Sequence, residues 1–244
     1  LVKLKSLVST TAERGMPALA LTDEANLFGL VKFYKAAQGA GLKPIIGSDL
    51  WLSNPHDEAH PYRITLLAMN DVGYRNLTEL ISKGWTDGQR QGRAILDKQW
   101  VLAQSEGLIA LSGGREGEIG RHLLSEHERE ARQLLEEWQQ AFPDRFYLEL
   151  IRTGRPLEEA CVHASVQLAI ETGTPVVATN DVRFLEREDF WAHETRVAIG
   201  EGKALDDPRR ERRYTEEQYL KSPDEMAALF ADIPEAVGNS VMIA

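Results

Sequence analysis

The feature that most constrains this chain is an alternation. Short, nearly continuous apolar runs bounded by turn residues are each separated from the next by a stretch of helical periodicity. Strand-like runs fall at 18–22, 44–52, 63–69, 107–111, 146–151 and 175–179. Helical patterns run from the first residue to a stop at Gly15 and Pro17, then over 27–40, 72–83, 116–125 and 157–172. Strands that are apolar throughout are buried on both faces, as parallel strands covered by helices are. The pattern therefore predicts an α/β fold, either a doubly wound sheet or a closed β/α barrel. Because the first visible element is a helix feeding a strand, a strand ahead of Leu1 would complete the alternation and raise the six strands to seven. The expected organisation is a β/α body over 1–204. A charged loop and a helical tail beginning at Thr215, with Tyr219, Met226, Leu229, Phe230 and Val237 as its apolar positions, occupy 205–244.

Charge narrows the function. The 244 residues carry 28 Lys and Arg against 38 Asp and Glu, a formal −10, which disfavours a broad grip on a nucleic-acid backbone, since that grip rests on cations at phosphates. No apolar run approaches the roughly 20 residues that span a bilayer. A single Cys161 cannot form an internal disulfide, and no charged-then-apolar leader opens the chain, so a cytoplasmic setting is expected.

In parallel α/β folds functional groups gather where strands end at their carboxyl edge. The six runs deliver there Asp23 and Glu24; Asp49; Asn70 and Asp71; Ser112, Gly113, Gly114 and Arg115; Arg152 and Thr153; and Asn180, Asp181 and Arg183. Each of these alone reads as a helix cap, but the clustering of carboxylates on one rim suggests a site. None of the six histidines ends a strand: His56 and His60 sit in a Pro-containing loop, and His122, His127, His163 and His193 in helical patterns, so all are expected to be surface or packing residues. The remaining donors Glu24, Asp49 and Asp181 would suit Mg²⁺ or Mn²⁺ better than zinc. The Gly113-Gly114-Arg115-Glu116-Gly117 stretch lacks phosphate-loop spacing and reads as a tight turn. Cys161, mid-helix, reads as a buried structural thiol. Arg209, Arg210, Arg212 and Arg213, interleaved with Asp206, Asp207 and Glu211, read as a solvated loop that could meet an acidic partner.

Several stretches resemble the PHP domain (polymerase and histidinol phosphatase) at the amino end of bacterial replicative polymerase alpha subunits. They are Gly15-Met16-Pro17-Ala18-Leu19-Ala20-Leu21-Thr22-Asp23, Lys43-Pro44-Ile45-Ile46-Gly47, Gly73-Tyr74-Arg75-Asn76-Leu77, Glu106-Gly107-Leu108-Ile109-Ala110-Leu111-Ser112-Gly113, Val176-Val177-Ala178-Thr179-Asn180-Asp181-Val182-Arg183-Phe184 and Phe230-Ala231-Asp232-Ile233-Pro234-Glu235-Ala236. The resemblance implies a distorted seven-stranded β/α barrel whose first strand, bearing a His-x-His pair in metal-binding members, would precede Leu1. It also implies a degenerate site. Glu24 and Arg183 stand where metal-binding members have His, Asp49 where they have Glu, Gly114 where some have Cys, and Trp85 loosely where they have His, leaving Asp181 unchanged. A guanidinium at Arg183 would pair with Asp181 and stand in for a divalent cation. By resemblance the domain supports a DNA polymerase core, whose own Mg²⁺ carboxylates would lie beyond Ala244. It would dock the epsilon proofreading exonuclease, holding no metal of its own and doing no chemistry. The contrasting expectation is a metal-dependent phosphoesterase or 3′–5′ exonuclease using Glu24, Asp49 and Asp181 to activate water.

Overall fold

Leu4, Leu7, Val8 and Thr11 share one side of a helix and form α1 (Leu4–Glu13) in the computed structural model, which describes residues 2–244. Its buried stripe lies against α2 (Leu30–Gly39), whose Phe33 and Ala37 are fully buried beside Leu42. Between them runs β1 (Ala18–Glu24), followed after α2 by β2 (Lys43–Leu52) and β3 (Tyr62–Ala68). Next come α3 (Asp71–Thr86), a small hairpin of β4 (Gln89–Arg90) and β5 (Arg93–Leu96), α4 (Lys98–Ala103) and β6 (Leu108–Leu111). The remainder is α5 (Glu118–Leu124), α6 (Glu128–Ala141), β7 (Phe146–Ile151), α7 (Glu158–Thr172), β8 (Val176–Thr179), α8 (Phe190–Gly200), α9 (Pro223–Leu229) and α10 (Pro234–Ile243). All six runs expected to be strands are strands; the hairpin adds two more.

The eight strands make one mixed sheet in the order β4-β5-β2-β3-β6-β7-β8, with β1 on the same edge of β2 as β5 but further toward its start. An all-parallel sheet was expected, and β3 overturns it, running antiparallel to both β2 and β6. The reason is length. Only residues 53–61 join β2 to β3, and a parallel crossover needs about a dozen residues or more, usually a helix. Among the described residues β1 and β8 do not pair, so the sheet is open there rather than a closed barrel.

Strand alternation sorts the core into two faces. Leu50, Leu52, Ile64, Leu66, Leu148 and Leu150 point to the helices, where Trp138 stacks on Phe146 with ring centroids 5.6 Å apart. Each such buried side chain contributes about 1.5–3 kcal/mol. Leu67, Ile109, Leu111 and Val177 point the other way into a smaller cluster that Ile243 of α10 joins. Asn239 of α10 donates to the Val176 carbonyl of β8 at 2.8 Å, and Lys43 at the start of β2 donates to the Ala244 carbonyl. The helical tail starts later than expected. Residues 215–222 are irregular because Gln218 and Leu220 engage the chain after β8, where Phe184 bridges Tyr219, and the helix waits for the Ser222 cap and Pro223.

Candidate functional site

The inner face of the sheet turns from apolar to charged toward the end where β2, β7 and β8 finish. Since β3 runs the other way, it is the start of β3 that reaches this end, and its second residue is Arg63. Arg63 is buried, and its Nη2 donates to Asp49 Oδ2 at 2.9 Å while its Nη1 lies 3.6 Å from Asp181 Oδ1. The Thr65 hydroxyl donates to the other Asp49 oxygen at 2.6 Å. Two further guanidiniums meet Asp181: Arg183 at 2.7 Å and Arg155 at 3.2 Å. Gln218, with no solvent exposure, donates to Asp181 Oδ2 at 2.8 Å. One carboxylate thus faces three arginines. Although burial pushes its pKa up, Arg63, Arg183 and Arg155 outweigh it and hold Asp181 down at about 2.

Glu149, in the middle of β7, completes the centre. Its Oε1 accepts from Thr179 at 2.6 Å, and burial pushes its carboxyl up from the ordinary value despite Arg63. Arg155 is itself fixed by Glu158 at 2.7 Å, which also accepts from the Thr153 backbone and hydroxyl. Two glycines make room: a Cβ on Gly113 would stand 2.2 Å from the Arg63 carbonyl oxygen, and both Gly113 (φ 80°) and Gly114 (φ 54°) adopt left-handed backbone. Asp181 also sits there, at φ 43°, a conformation Asp tolerates better than most residues.

The expected rim residues divide. Asp49, Asp181 and Arg183 come together around Arg63, and Gly114 lies beside Ile151 and the Glu149 carbonyl. Asp23 and Glu24 point to opposite sides of β1; Asp23 turns toward Gly29 at the start of α2, and exposed Glu24 accepts the Trp51 indole N–H at 2.8 Å. Burial raises the Asp23 pKa, with Asp49 adding to it and the Gly29 N–H opposing. Asn70 and Asp71 lie at the far end, a correction that follows from the reversed β3. Asn70 caps α3 by accepting from the Gly73 N–H at 3.0 Å. Trp85 donates to the Ala25 carbonyl at 2.8 Å. Arg152 turns to the tail, meeting Asp232 at 2.6 Å and Glu159 at 2.8 Å.

Outside the centre, His193 packs edge-on to Tyr214 at 4.6 Å, its pKa held down at about 4 chiefly by burial. Burial raises the Cys161 thiol to about 11. The arginine loop is exposed at Arg209, Arg212 and Arg213, as expected of a solvated loop, and is buried at Arg210. Arg209 meets Asp207 at 2.7 Å and Arg213 meets Glu211 at 2.9 Å, whereas Arg210 is buried, 3.1 Å from Glu194.

The donors do not fit a divalent metal centre. Asp49 and Asp181 already spend their oxygens on guanidinium, hydroxyl and amide donors, and among the described residues no three His, Cys, Asp or Glu gather in a group able to hold an ion. The buried polar atoms here without a protein partner are Arg63 Nε and Nη1, Arg155 Nη2, Arg183 Nε, Glu149 Oε2 and Asn180 Oδ1. Nitrogen donors predominate among them, so the centre favours an acceptor over a cation.

Residues 1–153 match the PHP domain. The DNA polymerase III subunit alpha of Pseudomonas aeruginosa is 57% identical over all of this chain and 21% of its own length. That of Escherichia coli K12 is 52% identical over the same shares. The chain thus spans about a fifth of the length of the curated relatives it matches. Among solved structures, an amidohydrolase from Chromobacterium violaceum shares 13% identity at a TM-score of 0.49, over 72% of this chain and 81% of its own.

Proposed function

The chain belongs to the PHP domain family, and from that premise we propose that it is a polymerase III alpha PHP domain whose metal centre has been replaced by a buried ion-pair lattice. The observation that supports this reading is the position of Arg63, between Asp49 and Asp181 at 2.9 and 3.6 Å. A fixed cation with five donors on a rigid plane can hold two carboxylates together as a metal would, yet it cannot lower the pKa of a bound water or expand its coordination. On this reading the site holds the fold and performs no hydrolysis. The open sheet is a PHP-type barrel that a strand lying between β1 and β8 would close, with 1–204 as the body and 205–244 leading toward the polymerase core.

The domain's work is then mechanical: it supports the rest of an alpha chain that is a DNA-directed DNA polymerase with Mg²⁺ in its own core, and it docks the epsilon proofreading exonuclease in the cytoplasm. A domain without its own proofreading chemistry needs a separate exonuclease. Its formal −10 charge leaves little direct contact with DNA. No described helix is long and apolar enough to cross a membrane.

Two assays test the reading. Immobilised alpha subunit is expected to retain purified exonuclease at micromolar concentration, and the domain to give no hydrolysis of a chromogenic phosphodiester with Mn²⁺. Turnover abolished by Asp181→Ala would instead establish the phosphoesterase built on Glu24, Asp49 and Asp181.

A further inference from the structure

Two of the histidines meet in a surface turn. His122 lies in the last turn of α5 and His127 immediately before α6, and between them Glu126 turns the chain back in left-handed backbone at φ 59°. The His127 N–H donates to the His122 carbonyl at 2.9 Å and closes the turn. The two imidazole centroids stand 6.1 Å apart. Two imidazoles that share one ion at about 2.1 Å place their centroids roughly 5–6 Å apart, so a small side-chain adjustment brings this pair onto a common ion.

Hydrogen bonding prepares one ring for that role. His122 Nδ1 faces the Glu118 carbonyl at 2.9 Å, and a carbonyl only accepts, so in the neutral ring Nδ1 carries the hydrogen and Nε2 keeps its lone pair. A bond from one ring nitrogen to a backbone carbonyl is the arrangement that orients an imidazole toward a metal through the other. Buried Tyr62 backs the His122 ring at 6.4 Å, whereas His127 is exposed, and neither of its nitrogens has a partner among the described residues. Local charge favours a cation. Exposed Glu126, Glu128 and Glu130 border the turn against the single Arg129, while the adjoining Arg121 spends its guanidinium on the carbonyls of His60 and Pro61.

We propose that His122 and His127 form a two-imidazole site for a divalent ion of the zinc, nickel or copper class, which clips the end of α5 to the start of α6. The donors select the ion, since imidazole suits these metals whereas Mg²⁺ and Ca²⁺ take oxygen. No third His, Cys, Asp or Glu joins the pair among the described residues, so water completes the coordination. Two protein ligands, against the four of a structural zinc site, set the affinity in the micromolar range. The site shares no residue with the arginine centre and restores no metal there.

The test uses the full-length alpha subunit and zinc chloride, with histidine modification by diethyl pyrocarbonate mapped by mass spectrometry. Modification of His122 and His127 should fall together, roughly tenfold by about 100 µM zinc, while exposed His56 keeps its rate. Magnesium chloride at the same concentration should protect neither. His127→Ala should move the zinc midpoint for His122 protection at least roughly tenfold higher, and His122→Ala should do the same for His127, because each variant leaves one imidazole. His127 is exposed, so His127→Ala should melt as wild type without metal and keeps the test valid if His122→Ala is destabilised. An unchanged His122 midpoint in His127→Ala overturns the proposal. So does equal protection of His56, or no protection of either ring by about 1 mM zinc.

Discussion

Asp181 and Glu149 are both buried carboxylates, and their surroundings set them to opposite tasks. Asp181 meets three guanidiniums, so its folded pKa of about 2 lies below the ordinary 3.8. Its contribution to stability is therefore complete above the unfolded value and is lost as pH falls from there toward 2. Asp181→Asn should cost about 3 kcal/mol at neutral pH, because it leaves buried arginines uncompensated. The gap to wild type in denaturant melts should narrow below about pH 4. Arg183→Ala should cost only about 1 kcal/mol, since Arg183 is partly exposed and Arg63 and Arg155 remain on Asp181. Equal losses from the two variants would show that Arg183 alone balances the carboxylate. Glu149 runs the other way. Its folded pKa is raised, so whatever stability it contributes is present below the ordinary 4.5 and declines as pH rises through the folded value. Glu149→Gln keeps an acceptor for the Thr179 hydroxyl, and should gain on wild type as pH rises from 4.5 to 7. A variant that melts below wild type at pH 7 would mean that Glu149 is ionised and needed against Arg63.

At the scale of elements, what could be read from the sequence and what could not share one cause, the direction of β3. Apolar runs located every long strand, because burial on both faces leaves its mark on composition alone. Direction leaves a fainter mark, the length of the connection, and the absence of a helical pattern between 52 and 63 carried it. A parallel β3 would put Asn70 and Asp71 at the centre and Arg63 at the far end, so its reversal hid the residue that holds the centre together while the carboxylates it holds stayed legible at the ends of their own strands. Glu149 was missed for a related reason: a lone carboxylate inside the apolar run Phe146–Ile151 is itself the signal, but it lies mid-strand rather than at an edge. Gln218 reaches Asp181 from a segment with no regular structure, so periodicity could not find it. The tail has its own tie. Arg152 at the end of β7 donates to Asp232, to Glu159 and, at 2.9 Å, to the Leu229 carbonyl that ends α9. Arg152→Ala should therefore release α9 and α10 together. In hydrogen exchange their amides, and those of β8 beside Asn239, should lose protection while β2 and β3 keep theirs. Protection lost evenly across all strands would place Arg152 in the global core instead.

For the whole molecule, the decisive asymmetry is between the middle of the sheet and its open side. β3, β6 and β7 each have a partner on both edges and are buried almost throughout. Among the described residues β1 pairs only with β2, and none of its seven residues is fully buried. Every second N–H of such a strand points away from its partner. Opening β1 breaks hydrogen bonds on one side only and uncovers only the small cluster that Leu19 and Leu21 cover, not the main core, so it should cost less than global unfolding. The arginine lattice strengthens this contrast, because Asp49, Arg63, Glu149 and Asp181 tie β2, β3, β7 and the chain after β8 to one another and leave β1 out. Native-state hydrogen exchange on this chain should thus resolve two classes of amide. Those of β1 should exchange with weak dependence on denaturant, through local opening, and those of β3 and β7 only with the dependence of complete unfolding. Asp181→Asn should then speed exchange in β3 and β7 while leaving β1 close to its wild-type rate. If β1 instead slowed and quickened in step with β7, the open side would be bound into the same cooperative unit as the lattice, and the lattice could no longer be what divides the sheet.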